Sequence, residues 1–241
     1  MHVRAELVIG FVIFGVVLQD TGGGRFFLNL AFALVGKTRG GPAKVAVIAS
    51  SLFGSVSGSV FANVVSTGSM TIPAMIKAGY PPRHAAATEA CASTGGVLMP
   101  PIMGAVAFIM AAFLNVSYVY VAIAAAVPSI LYYVTLFIQV DAVAAKLGLG
   151  GMSRSEAPPL VRTLKGGWIY LLALAVLLYF LFVLGYVARA PFYAIAVLLV
   201  VSMIQKETRF TLKSFLQVIE HAGRFLAQVT TMMVGGGFIL G

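Results

Sequence analysis

The chain has 241 residues, of which 60% are hydrophobic and only 10% are charged, and its mean hydropathy is +1.00. This composition lies outside the range of soluble globular proteins and indicates an integral membrane protein. The net charge of +9 does not indicate nucleic-acid binding, because the basic residues fall in short loops between apolar segments. The single cysteine, Cys91, excludes an internal disulfide framework and a multi-cysteine metal site.

The first two apolar segments are short. Leu7 to Gln19 is an uncharged run, and Phe26 to Val35 ends at the first basic loop. We predict a membrane helix and an interfacial segment over residues 1–36. Asp20 could carry an ion or a proton inside the membrane, but its place at the end of a short run favours an interfacial position.

A longer uncharged stretch follows, with 32 residues between Lys44 and Lys77, and its middle from Gly54 to Asn63 is rich in glycine and serine. Non-helical backbone inside a membrane is tolerated only where protein or water satisfies its polar groups. Basic residues flank both ends, which favours the cytoplasmic side for both. Two arms of about 14 residues rise only about 21 Å. The prediction for residues 37–83 is therefore a re-entrant hairpin with its polar tip near the membrane midplane.

The next apolar run, Ala90 to Val140, holds 51 uncharged residues, enough for two spans joined at an outer turn near Asn115. Gly95-Gly96 and Pro100-Pro101 weaken helical geometry in its first half, so a broken transmembrane helix is predicted over residues 84–114. We expect its half-helices to cover approximately residues 83–94 and 102–114. Carbonyl and hydroxyl oxygens at such a break suit a cation such as Na⁺, and a half-helix N-terminus suits an anion.

Basic clusters alternate along the rest of the chain as the positive-inside rule requires. Residues 8–15 and 234–241 match at four positions and would run in opposite directions, as inverted repeats do. We therefore expect a fragment of a longer protein, with a second hairpin after Gly241. The remaining predicted segments are a transmembrane helix over 115–148, a cytoplasmic loop over 149–165, two scaffold transmembrane helices over 166–205, and an amphipathic segment with the truncated start of a second repeat over 206–241.

The glycine-rich middle of the hairpin and the glycine and proline pairs of the broken helix also have purely structural interpretations. Gly54 and Gly58, four residues apart, are typical of close helix packing, and a proline pair can simply kink a span. Two breaks at one depth, each with hydroxyl or amide side chains beside glycine, favour a binding site. Glu89 is predicted to stabilise a helix N-terminus or to form a local ion pair. No ligand role is predicted for the histidines, which lack a partner in the sequence: His2, His84 and His221.

Eight runs along the chain are recognisable together: Gly40 to Val47, Ser50 to Ser59, Ala62 to Gly68, Thr71 to Met75, Ala92 to Gly96, Met99 to Gly104, Leu131 to Tyr133 and Gln139-Val140. In this order they resemble the large membrane subunit of tripartite ATP-independent periplasmic (TRAP) transporters, and most of all the TAXI-type fused permeases. The resemblance covers essentially the whole chain.

The resemblance implies an all-α polytopic protein of the bacterial inner membrane, part of an inverted-repeat transporter with an elevator motion. Such a protein is not an enzyme, uses no ATP and no cofactor, and takes Na⁺ as its coupling ion. Its implied partners are a periplasmic TAXI-type solute-binding protein, a small membrane subunit region that is fused or separate, and an organic anion such as a carboxylate.

We place the predicted site at the hairpin tip and the helix break. The residues themselves leave both Na⁺ and H⁺ open as the coupling ion. Two other classes stay open: a structural or channel-like membrane subunit, and an intramembrane enzyme, for which no activated nucleophile and base occur at compatible depths. The expected ion-binding residues are Ser57, Gly58, Asn63, Thr94 and Gly95, and the expected substrate-binding residues are Ser59, Thr67, Ser93 and Met99.

Overall fold

A computed structural model of the chain describes residues 5–152, 158–204, 218–224, 227, 230 and 231. Within these ranges the protein is helical and has no strand, as an all-α membrane protein requires. The helices are α1 (Ala5–Asp20), α2 (Gly23–Val35), α3 (Gly41–Ser57), α4 (Val60–Lys77), α5 (Pro82–Gly96), α6 (Ala105–Phe113), α7 (Tyr118–Lys146), α8 (Leu160–Leu178, continued by a π-helical turn Tyr179–Val183) and α9 (Ala190–Ile204).

Length and composition identify the candidate spans. Helix α7, and α8 with its π-helical turn, are each long and apolar enough to cross a membrane. Helices α1 and α2 reach this length only as a pair, which is bent by 67°. Helix α9 is apolar but shorter. The outer turn predicted near Asn115 lies between α6 and α7, where a helix end and a helix start flank it.

The predicted cytoplasmic loop over 149–165 is shorter than expected, because α8 already begins at Leu160. Arg162 and Lys165 therefore lie on a helix. Residues 153–157 of this loop, residues 206–217 and the apolar end of the chain, with its expected second repeat, lie outside the described residues.

Helices α3 and α4 form a hairpin with a tight turn. Helix α3 ends at Ser57 and is followed by Gly58, whose φ of 61° is the left-handed conformation that glycine adopts readily at a helix C-terminus. Ser59 then caps α4, its Oγ accepting a hydrogen bond from the Ala62 N–H at 3.3 Å. The predicted glycine break is thus a turn between two antiparallel helices.

The interruption predicted from the glycine and proline pairs is present between α5 and α6. Helix α5 ends at Gly96, and α6 begins at Ala105. The backbone between them closes on itself through Gly104 N–H and Val97 C=O (2.9 Å), and it joins the hairpin through Ile102 N–H and Ser55 C=O (3.0 Å). The interrupted helix and the hairpin tip therefore form one unit.

Helix α3 lies at the centre of the fold and packs against α1, α2, α4, α5 and α7. It crosses α5 at a pair of glycines: a Cβ added to Gly54 would lie 2.5 Å from the Gly96 Cα. The close-packing interpretation of Gly54 is therefore correct for this contact.

At its other end, the hairpin is tied to α7 by ion pairs. Lys44 Nζ lies 2.6 Å from Asp141 Oδ1, and Arg39 also pairs with Asp141. The Asp141 carboxylate raises the pKa of the Arg39 guanidinium. Lys44 was grouped with the loop charges in the sequence, but its side chain is only 8% exposed. Its charge is held at a helix contact instead of in solvent.

Candidate ion and anion site

A buried carboxylate lies where α3, α4 and α5 meet. Glu89 is completely buried, and its Oε1 accepts hydrogen bonds from the hydroxyls of Ser50 (3.1 Å), Thr67 (2.5 Å) and Ser93 (3.1 Å). The Thr71 hydroxyl donates to Oε2. We call these five residues the Glu89 cluster.

Helical spacing and one glycine explain how the cluster forms. Thr67 and Thr71 are four residues apart on α4, as Glu89 and Ser93 are on α5, so each pair lies on one helix face. Gly68 lets α4 come close to α5, because a Cβ added at Gly68 would lie only 2.9 Å from the Glu89 Cγ.

The expectation that Glu89 stabilises a helix N-terminus or forms a local ion pair is wrong. It lies in the middle of α5, and among the described residues no lysine, arginine or histidine forms a salt bridge with it. Hydroxyl groups take the place of the expected cation.

Asn63 extends this polar region towards the hairpin tip. It is completely buried, and its Nδ2 donates to the Ser50 C=O at 3.0 Å. The Thr67 hydroxyl oxygen lies 2.8 Å from the Asn63 C=O and 3.2 Å from the Asn63 Oδ1. Asn63 thereby connects α4 to α3 one helical turn before the Glu89 cluster.

The tip itself is built from backbone groups and one unsatisfied hydroxyl. We use "the tip" for Ser57 to Val60 together with the facing segment Ile102 to Gly104. The Ser57 Oγ is buried and has no hydrogen-bond partner among the residues that the structure describes. A Cβ on Gly58 would lie 2.3 Å from the Met103 C=O, so only glycine allows this backbone approach. A buried oxygen without a partner is unusual and points to a ligand.

The structure brings together most of the predicted site residues. Ser57, Gly58 and Ser59 lie at the tip, and Asn63, Thr67 and Ser93 lie in the polar region beside it.

The remaining three predicted site residues point elsewhere. Thr94 is exposed, and its hydroxyl donates to the Ala90 C=O of its own helix at 2.7 Å. Gly95 faces α7, where a Cβ would lie 2.4 Å from the Tyr132 ring. Met99 packs at the edge of the apolar cluster formed by α3, α5 and α7.

A cavity of about 1120 Å³ opens beside the tip, between α4, α6 and α7. Gly58 and Ser59 form part of its wall, and the rest is mainly apolar. None of its lining residues is charged: Gly58, Ser59, Val60, Phe61, Val64, Val97, Leu98, Met103, Gly104, Val106, Ala107, Met110, Leu114, Val116, Tyr120, Val121, Ala124, Ala125 and Pro128.

Sequence reasoning missed three polar residues of this region: Glu89 as a buried group, Ser50 and Thr71. The signal was present as two i, i+4 pairs of polar residues, together with the only carboxylate between Asp20 and Asp141. His221, for which no catalytic or metal partner was predicted, has its Nδ1 3.2 Å from the Asp20 Oδ2, and this contact joins α1 to the segment 218–224.

Comparison with protein families identifies the chain. The family model of the DctM component of tripartite ATP-independent periplasmic transporters matches residues 1–241. The chain belongs to this family. Members of the DctM family are components of transporters and not enzymes.

Curated relatives match over parts of the chain. The C4-dicarboxylate TRAP transporter large permease protein DctM of Pseudomonas aeruginosa is 36% identical over 149 residues, which are 61% of this chain and 34% of that protein. The isethionate TRAP transporter permease protein DctMQ of Oleidesulfovibrio alaskensis is 40% identical over 91 residues, 38% of this chain and 14% of the relative. The ectoine/5-hydroxyectoine TRAP transporter large permease protein UehC of Ruegeria pomeroyi is 38% identical over 93 residues, which are 39% of this chain and 22% of that protein. The chain spans about a third or less of the length of these relatives.

Proposed function

We propose that the full-length protein is a Na⁺-coupled secondary transporter that moves a small organic anion across the bacterial inner membrane. A periplasmic TAXI-type solute-binding protein delivers the anion, and a small membrane subunit region, fused or separate, completes the permease. The observation that carries this proposal is the contact between the α3–α4 turn and the interrupted α5–α6 helix, within a chain of the DctM family. Turns of this kind at membrane depth are typical of ion and substrate sites in secondary transporters.

The tip fits a Na⁺ ion by its chemistry. It offers the unpartnered Ser57 hydroxyl and backbone carbonyls such as that of Met103, which are the hard oxygen ligands that alkali and alkaline-earth cations prefer. In this proposal Na⁺ binds first and fixes the two segments of the tip. Because coupling requires differential binding, the tip without Na⁺ holds the anion poorly.

The anion is proposed to bind in the adjoining cavity. The first residues of α4 and α6 lie at the tip, and helix N-termini favour negative charge. The apolar wall suits the carbon skeleton of a small organic acid. C4-dicarboxylate and isethionate, named for two of the relatives, are both small organic anions.

The α3–α4 hairpin is proposed to be re-entrant and to move with α5 and α6 in an elevator motion. Thr38 and Pro82 are exposed at its two ends and make suitable labelling positions. In the full-length protein with Cys91→Ser, cysteines introduced at these two positions should react with a membrane-impermeant reagent from the same face. Labelling from opposite faces would contradict the re-entrant hairpin.

Counterflow of labelled organic acids into liposomes tests the transport function itself. The full-length protein should show uptake that requires both Na⁺ and the binding protein. A channel-like subunit would conduct without the binding protein, and a structural subunit would not transport. Either result would contradict the proposal.

A further inference from the structure

The Glu89 carboxyl group has no role in the tip, yet it is the most deeply buried ionisable group of the hairpin region. We propose that Glu89 is a proton-binding site: its carboxyl group is protonated and neutral when α3, α4 and α5 pack as in this structure, and it releases the proton when water reaches it in another state of the transport cycle. Its role in coupling rests on the proposed transport function, but the protonation itself does not.

The first argument is the cost of a buried charge. An ionised carboxylate away from water is costly when no cation is near it, and such groups commonly become neutral instead. The four hydroxyl groups around Glu89 offset part of this cost. Glu89 is 0% exposed and has no salt-bridge partner among the described residues. Neutralisation by a proton removes this cost without a new contact.

The second argument is that the hydroxyls around Glu89 can serve both protonation states. The Thr71 hydroxyl contacts Glu89 Oε2 and also lies 3.0 Å from the Thr67 C=O. When Oε2 carries a proton, it donates to the Thr71 Oγ1, whose own hydrogen turns to the Thr67 C=O. When Glu89 is ionised, the Thr71 hydrogen turns back to Oε2.

The Thr67 hydroxyl can likewise donate either to the other carboxylate oxygen, Glu89 Oε1, or to a backbone carbonyl. Its Oγ1 lies 2.5 Å from Glu89 Oε1 and 2.8 Å from the Asn63 C=O. Rotation of two hydroxyl groups therefore satisfies every oxygen in both states. Proton uptake forms one O–H bond at Oε2 with a proton from water and cancels one negative charge, and release returns the proton to water.

Distances favour a proton over a metal ion at this position. Oxygen ligands around a small cation, at about 2.4 Å from it, lie about 3.4 Å from one another in octahedral geometry. In the Glu89 cluster the oxygens are in direct hydrogen-bond contact, from 2.5 Å for Thr67 to 3.1 Å for Ser50 and Ser93. These contacts leave no room for an ion between the oxygens.

Tyr133 of α7 and Lys44 of α3 are ionisable groups on the packed helices, and both have partners other than Glu89. From α7, the Tyr133 hydroxyl donates to the Ala92 C=O at 2.8 Å. From α3, Lys44 pairs with Asp141. On α4 and α5, the ionisable residues nearest in sequence are Lys77, Arg83, His84 and Cys91.

Infrared difference spectroscopy of the purified full-length protein tests the proposal. The spectrum of wild type minus Glu89→Gln at neutral pH should contain the C=O stretching band of one carboxylic acid, shifted in ²H₂O. Carboxylate bands in that difference spectrum, with no acid band, would overturn the proposal. If the Glu89→Gln variant does not fold, Thr71→Val and Ser93→Ala provide a second infrared test. Each variant removes one hydrogen bond to Glu89 and should shift its carboxylic acid band. A band that neither variant moves belongs to another group and also overturns the proposal.

A transport measurement separates this inference from the proposed function. In liposomes at constant Na⁺, an inward proton gradient should accelerate wild-type uptake and have no effect on uptake by Glu89→Gln. Equal acceleration of both proteins would overturn the coupling role of Glu89. If the full-length protein transports no anion under any ion gradient, the proposed function fails, and the infrared band still decides whether Glu89 binds a proton.

Discussion

The tip and the Glu89 cluster are neighbouring polar regions on the same three-helix unit, but they are built in opposite ways. The tip presents backbone groups, the Ser59 side chain that caps α4, and a Ser57 hydroxyl with no partner in the described part of the chain. The Glu89 cluster consists of side chains whose oxygens all have partners. A region with an unused hydrogen-bonding group can accept a ligand. A region whose hydrogen-bonding groups are all used has no such place, but it can still gain or lose a proton. We therefore propose the tip as the metal-ion site and the Glu89 cluster as the proton site.

The largest expected effect is at the tip turn, with Gly58→Ala. The left-handed backbone costs an alanine about 1–2 kcal/mol, and its Cβ would overlap the Met103 C=O, which adds about 1–3 kcal/mol. Gly185→Ala is the matched control, because it has a φ of 67° and nothing within 4 Å of its Cβ. Thermal unfolding of the purified full-length variants should show a clearly larger loss for Gly58→Ala. Equal losses would mean that the tip contact contributes nothing.

The next effect concerns the crossing of α3 and α5. Gly96→Ala places a Cβ 2.7 Å from the Gly54 Cα, and this overlap should cost about 1–3 kcal/mol. Gly166→Ala on α8, where a Cβ meets nothing within 4 Å, should leave the unfolding temperature unchanged or slightly raised. An unchanged unfolding temperature for Gly96→Ala would show that the two helices do not cross at this contact.

A smaller effect distinguishes two adjacent residues of α5. Ser93→Ala removes a hydrogen bond to the buried Glu89 and should cost about 1 kcal/mol. Thr94→Val removes only a bond from an exposed side chain to its own helix and should change stability by less than about 0.5 kcal/mol. The reverse order, measured by thermal unfolding, would place Thr94 inside and contradict the orientation of α5.

Ser93 and Thr94 also show what the sequence could and could not predict. Gly95-Gly96 and Pro100-Pro101 predict the helix interruption, because their effect on the backbone is local. The choice between Ser93 and Thr94 depends on the rotation of α5, which is set by contacts with distant residues such as Tyr132 and Tyr133 of α7. Sequence reasoning therefore located the helix interruption, but it could not show that Ser93 contacts Glu89 while Thr94 is exposed and Gly95 faces α7.

Glu89 was misjudged for a related reason. Its four hydroxyl partners come from three helices, and Ser50 is 39 residues away in sequence. Single-sequence patterns describe one helix at a time, so an acidic residue near Arg83 resembles an ordinary surface charge. Only the packing of α3, α4 and α5 shows that hydroxyls surround it.

Lys44 provides a similar example at the hairpin base. The positive-inside rule treats it as one loop charge among several, whereas its pairing with Asp141 requires α7 to pack beside α3. Charge in the sequence predicts the side of the membrane, and the tertiary contact decides whether the charge is buried.

The central claim is that the tip binds Na⁺. It is tested most directly by measuring the thermal unfolding temperature of the purified full-length protein at increasing Na⁺ concentrations. Choline replaces Na⁺ so that the ionic strength stays constant. Wild type should be stabilised progressively as Na⁺ exceeds its dissociation constant. Ser57→Ala removes a hydroxyl that has no partner within the described ranges, so it should unfold at the wild-type temperature without Na⁺. It should need about fivefold more Na⁺, equivalent to about 1 kcal/mol, for the same stabilisation. A wild-type protein that does not respond to Na⁺, or a Ser57→Ala variant with the wild-type Na⁺ dependence, would contradict the assignment.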